Sequence, residues 1–140
     1  MTTNSAAADM IPLAVVGAHL SGMPLNHELT GPGGRLIRQC RTVGDYRLYA
    51  LPNTVPAKPG LVREPGFAGT GLDVEVWALP PDAFGRFVAR IPAPLGVGKI
   101  TLEDGTAVTG FLCEAHALVG AEDVTGHGGW RAYLAVRAGA

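Results

Sequence analysis

Charge is scarce in this 140-residue chain: Asp, Glu, Lys and Arg make up 16% of it, and the signs cancel to a formal net charge of -1. The only lysines are Lys58 and Lys99. No basic run is present, which excludes the electrostatic footprint of a nucleic-acid binder. Cysteine is equally sparse. Cys40 and Cys113 stand far apart in strand-like apolar stretches with no C-x-x-C spacing, so inert buried thiols in a reducing compartment are expected, not a disulfide framework or a zinc or redox centre. His27, His116 and His127 lack HxH or HExxH spacing, and no metal is expected. G-x-G-x-x-G after a strand, G-x-x-x-x-G-K-[ST] and G-x-S-x-G are all missing. That removes support for a dinucleotide fold, a P-loop or a serine-hydrolase elbow, and no cofactor is implied. No apolar run approaches the ~20 residues that cross a bilayer. The start MTTNSAAADM has no cationic and apolar leader pattern, so a cytoplasmic protein without a membrane partner is expected.

What is abundant is small and apolar. Hydrophobic residues make up 47% of the chain, and 20 glycines and 11 prolines are scattered without a repeat period. Such a chain can bury a core, and its punctuation predicts many short elements joined by tight turns, more like a curved sheet or small barrel than a helix bundle. Residues 1–9 are unpatterned and read as a flexible tail, leaving 10–140 as one domain. Ile11 to Val16 predicts a strand buried on both faces. Asn26 predicts a cap for a short helical turn that Gly31-Pro32-Gly33-Gly34 must stop. Arg35 to Thr42 and Tyr46 to Leu51 read as a hairpin, with Leu36, Ile37, Cys40 and Val43 roughly inward. Pro52 to Pro59 reads as a loop, Gly60 to Val62 as a brief strand, and Leu72 to Leu79 as a regular one. Pro80-Pro81-Asp82 opens a helix with Phe84, Phe87, Val88 and Ile91 on one face. Gly98 to Cys113 predicts a hairpin with Ile100 and Leu102 inward, and Trp130, Tyr133 and Leu134 mark a closing helix. The sum is α+β, mostly antiparallel, with two or three short helices.

Three places could carry chemistry. In the loop after the first strand, Gly17, Ala18, His19, Leu20, Ser21 and Gly22 can turn consecutive amides toward an anion, with Asn26 just beyond. His19 adds a group that titrates near neutrality. On the strand Tyr46 to Leu51, Arg47 and Tyr49 share a face and could clamp a carboxylate, a role open also to Lys58 or Lys99. Glu75, beside Trp77, could be a pocket carboxylate with a raised pKa. An ordinary turn, solvated strand and loop cations and an outward Glu are the plain alternatives.

The wording of the chain adds to its periodicity. LAVVGAHLSGMPLN (Leu13 to Asn26), YRLYALP (Tyr46 to Pro52), AKPGLVR (Ala57 to Arg63), VEVWALP (Val74 to Pro80), IPAPLGVGKITLEDG (Ile91 to Gly105), GFLCE (Gly110 to Glu114) and GGWRAYLA (Gly128 to Ala135) together resemble the C-terminal domain of allophanate hydrolase. The resemblance implies a γ-glutamylcyclotransferase-like fold, a small distorted β-barrel with flanking helices and a ligand loop after the first strand. The acid that the cyclotransferases carry after the helix has no counterpart between Phe87 and Gly96. By the same resemblance the domain would decarboxylate N-carboxycarbamate in urea and allophanate degradation, with a small anion as its guest. His19 would then be the acid/base. The Gly17 to Gly22 amides would hold one carboxylate, and Arg47 with Tyr49, or Lys58, the other. Two other classes stay open: a non-catalytic docking domain for an amidase partner or a second copy in a homodimer, and an amine lyase that would need Glu75 or Glu64 in place of the missing acid.

Overall fold

The computed structural model describes residues 9–139; the tail expected over 1–9 lies, apart from Asp9, outside the described residues. In chain order the elements are β1 (Ile11–Val15), α1 (His27–Thr30), β2 (Arg35–Arg41), β3 (Tyr46–Ala50), β4 (Pro59–Arg63), β5 (Asp73–Leu79), α2 (Pro81–Ala89), β6 (Leu95–Thr101), β7 (Ala107–Cys113), β8 (Glu122–Asp123) and α3 (Trp130–Gly139). Short 3-10 turns fill Ala115–Leu118 and Thr125–His127.

The strands form a five-stranded sheet in the order β2-β5-β1-β7-β6 and a three-stranded sheet in the order β4-β3-β8. β1 lies at the centre of the larger sheet, antiparallel to β5 and parallel to β7. A strand flanked on both edges and covered on both faces must be apolar throughout, and Leu13, Ala14 and Val15 are fully buried. β5 is buried on both faces for the same reason, from Val74 to Leu79. The sheets are packed through Leu48 and Leu61, and the Tyr46 hydroxyl accepts a hydrogen bond from the Thr101 amide across the junction. α3 turns Trp130 and Tyr133 into the core, the i, i+3 pair that its sequence spacing predicts.

Three expectations are corrected here. The larger sheet is open among the described residues: its edges, β2 and β6, meet only at one bridge, Thr42 to Leu102, so the architecture is α+β with two sheets and not a closed barrel. β2 and β3 exist but form no hairpin, because the chain leaves β2 for the other sheet. The Thr42 amide donates to the Leu72 carbonyl at 2.9 Å, and the Val43 amide to the Thr101 carbonyl at 3.1 Å. The polar groups that a hairpin would have paired are thus used by β5 and β6 neighbours. A register shift in β2 between Leu36 and Arg38 also leaves Leu36 and Ile37 exposed instead of inward.

Candidate functional site

The loop after β1 is folded tightly on itself. Leu20 N donates to Gly17 O at 3.0 Å, Leu25 N to Ala18 O at 2.8 Å, and Asn26 Nδ2 to His19 O at 2.9 Å. Asn26 therefore braces the loop and makes no side-chain cap to α1. Gly17 is required by a close approach: a Cβ there would enter the Pro59 ring. The amides of Ala18 and His19 donate to no acceptor among the described residues. Leu20 and Ser21 N–H groups are already used, so the expected cradle shrinks to its first half.

That half opens onto a cavity of about 380 Å³. His19 sits in its wall, stacked on Phe111 with ring centroids 5.2 Å apart and edge-on to Phe87 at 5.0 Å. Its Nε2 lies 2.8 Å from Glu28 Oε1. A carboxylate oxygen accepts, so Nε2 carries the proton, and Nδ1 is the nitrogen left to take another. Burial lowers the imidazole pKa below its ordinary 6.5; the hydrogen bond and charge of Glu28 oppose that, while Lys58 and His27 add to it. Lys58 and Arg90 bring two cations to the lining.

The other candidate residues lie elsewhere. Ser21 points away from the cavity to Glu75, and Gly22 makes the turn at φ 81°. Arg47 is held by Glu64 at 2.9 Å and Asp123 at 3.1 Å, with its guanidinium 3.8 Å over the Phe67 ring. Its donors are committed to those two carboxylates, and it does not join the cavity lining. Tyr49 pairs with Gly60 and Asp123 across β4 and β8 and is not in the lining either. Lys99 donates to Thr109 on the neighbouring strand.

Glu75 is corrected in both place and protonation. Its carboxylate is fully buried behind the loop. Oε1 accepts from Ser21 N at 2.8 Å, Ser21 Oγ at 3.0 Å and Trp77 Nε1 at 3.1 Å; Oε2 accepts from Gln39 at 3.2 Å and Arg131 at 3.1 Å. Desolvation alone would raise its pKa, yet these donors from Ser21, Trp77, Gln39 and Arg131 outweigh it, and the pKa is lowered. Glu75 is an ionised anchor that ties the loop to α3, where Arg131 also donates to Ser21 O at 3.0 Å. Cys40 and Cys113 are half-buried, not buried as expected, and that partial burial raises both thiol pKa values.

Sequence reasoning missed Glu28, Arg90 and the two phenylalanines. Glu28 becomes a neighbour of His19 only because α1 folds back over the loop, although its place in the first turn after Asn26 was visible. Arg90 caps the end of α2, so the end of the predicted helix was the available signal.

Fold and cavity together define a small α+β domain with a histidine-walled pocket that two cations line. The chain belongs to the allophanate hydrolase C-terminal domain family, which matches residues 11–135. It is 40% identical over 129 residues to a urea amidolyase of Lachancea kluyveri, covering 90% of this chain but 7% of that protein. Among solved structures it resembles an allophanate hydrolase of Kluyveromyces lactis (TM-score 0.86, 40% identity, 90% of this chain and 21% of that one). It also resembles a uropathogenic E. coli-specific protein (TM-score 0.81, 36% identity), there covering 90% of this chain and 96% of the other. The same domain thus occurs in long multidomain enzymes and in a chain scarcely longer than itself.

Proposed function

We propose that this domain decarboxylates N-carboxycarbamate, the dianion left when an amidase removes ammonia from allophanate. The observation that carries the reading is the half-buried His19–Glu28 pair in the cavity wall, with Ala18 and His19 amides that find no acceptor among the described residues and the Lys58 and Arg90 side chains around the same space. In the free protein, burial lowers the imidazole pKa and so favours the neutral ring. A dianion entering the cavity adds negative charge beside it, raises its pKa and draws a proton onto Nδ1. That proton passes to the carbamate nitrogen as the C–N bond breaks, the bonding pair stays on nitrogen, and CO2 leaves with carbamate remaining. The amides and cations hold the carboxylates during the step. Glu75 and Glu64 supply no acid to this space: one is enclosed behind the loop and the other is paired with Arg47.

A second reading, a docking domain for an amidase, rests on Leu36 and Ile37, left 41% and 52% exposed on edge strand β2. The test separating the two generates N-carboxycarbamate in place with an amidase and follows CO2 release. Wild type accelerates release and His19→Ala returns it to the background rate, whereas equal rates with and without wild-type protein refute catalysis.

A further inference from the structure

The cavity is larger and more apolar than a dianion of a few heavy atoms requires. At about 380 Å³ it falls in the range of sites that enclose drug-sized ligands. Its polar groups come from the β1 loop, α1, Lys58 and Arg90, which ends α2, while Phe87, Ile91, Leu95 and Phe111 supply an apolar wall on either side of Arg90, from α2, the turn after it, β6 and β7. Val55 stands at the mouth, 95% exposed, an apolar side chain that gains burial only when something apolar reaches it.

We infer that the pocket also accepts monocarboxylates and N-alkyl carbamates bearing an apolar tail of a few carbons, with the carboxylate at the Ala18 and His19 amides and the tail along Ile91 toward Val55. The inference rests on the proposed function only for where the carboxylate sits. Two charged ends are not needed for such a guest: one anion meets the amides and Lys58, and the tail replaces water against the apolar wall.

The probes are acetate, butanoate and hexanoate, with malonate as a short dianion, titrated into the whole protein while the His19 ring protons are followed by NMR. Affinity rises about fourfold per added methylene, since each buries against an apolar wall. Val55→Asp, at an exposed position that does not threaten folding, and Ile91→Ala each flatten the rise. A flat series in wild type, or a rise unchanged in both variants, overturns the inference. If malonate still binds in that case, the decarboxylase reading is untouched; if malonate also leaves the His19 signals unmoved, both fall.

Discussion

His19 Nε2 and Glu28 Oε1 are 2.8 Å apart, in a ring stack that leaves the imidazole side chain 13% exposed. A carboxylate pulling the pKa up is thereby set against burial and Lys58 pulling it down. The two neighbours should move the titration in opposite directions. Glu28→Gln lowers the His19 pKa further and Lys58→Gln raises it, read from the His19 ring-proton shifts against pH. Shifts of the same sign in both variants would show that neither side chain acts through its charge.

The lowered pKa of His19 also fixes a sign for stability. Above the unfolded value of about 6.5 both states hold a neutral ring and the contribution is fully present. As pH falls below it, the unfolded chain binds the proton first, and folded stability declines until the folded pKa is passed. His19→Gln should therefore lose less stability than wild type between pH 6.5 and 5. Urea unfolding across that range measures it, and identical slopes would contradict the burial argument.

Glu75→Ala removes the acceptor for five donors and leaves Ser21 N, Trp77 Nε1 and Arg131 without their shared partner. The expected cost is about 3 kcal/mol, seen as a lower urea midpoint with an unchanged slope. Because the pKa of Glu75 is lowered, its contribution is present above the unfolded value and is lost as pH falls through the folded one. The same variant should loosen the loop and weaken anion binding, although Glu75 does not line the cavity.

Gly60→Ala would place a Cβ 2.8 Å from Cys113 Sγ and 2.9 Å from its Cβ, at the contact between the two sheets. Overpacking there costs about 1–3 kcal/mol, with no change in the His19 titration. A neutral thermal midpoint would mean that the sheets can shift apart freely.

Much of the architecture could be read from periodicity. β5, the β6–β7 pair and α3 follow from alternation, a Gly-containing turn and an i, i+3 aromatic pair, and Ile100 and Leu102 are fully buried as their register requires. What periodicity did not carry was partner choice: β2 and β3 have hairpin spacing, yet Thr42 is bound to Leu72 and Leu102 from distant parts of the chain. The site shows the same division. Gly17, Ala18 and His19 are local in sequence and were legible. Arg47 and Glu75 were misplaced because alternation gives a strand face but not what lies opposite it: Glu64 and Asp123 in one case, the loop and α3 in the other.

An anionic guest charges the half-buried imidazole of His19. Malonate, with CH2 in place of the carbamate nitrogen, is a stable mimic, and calorimetric titration in two buffers of different ionisation enthalpy counts the protons taken up as it binds. Uptake near pH 7.5 that disappears in His19→Ala is the predicted result. Binding with no proton uptake, or with uptake that persists in His19→Ala, would contradict it.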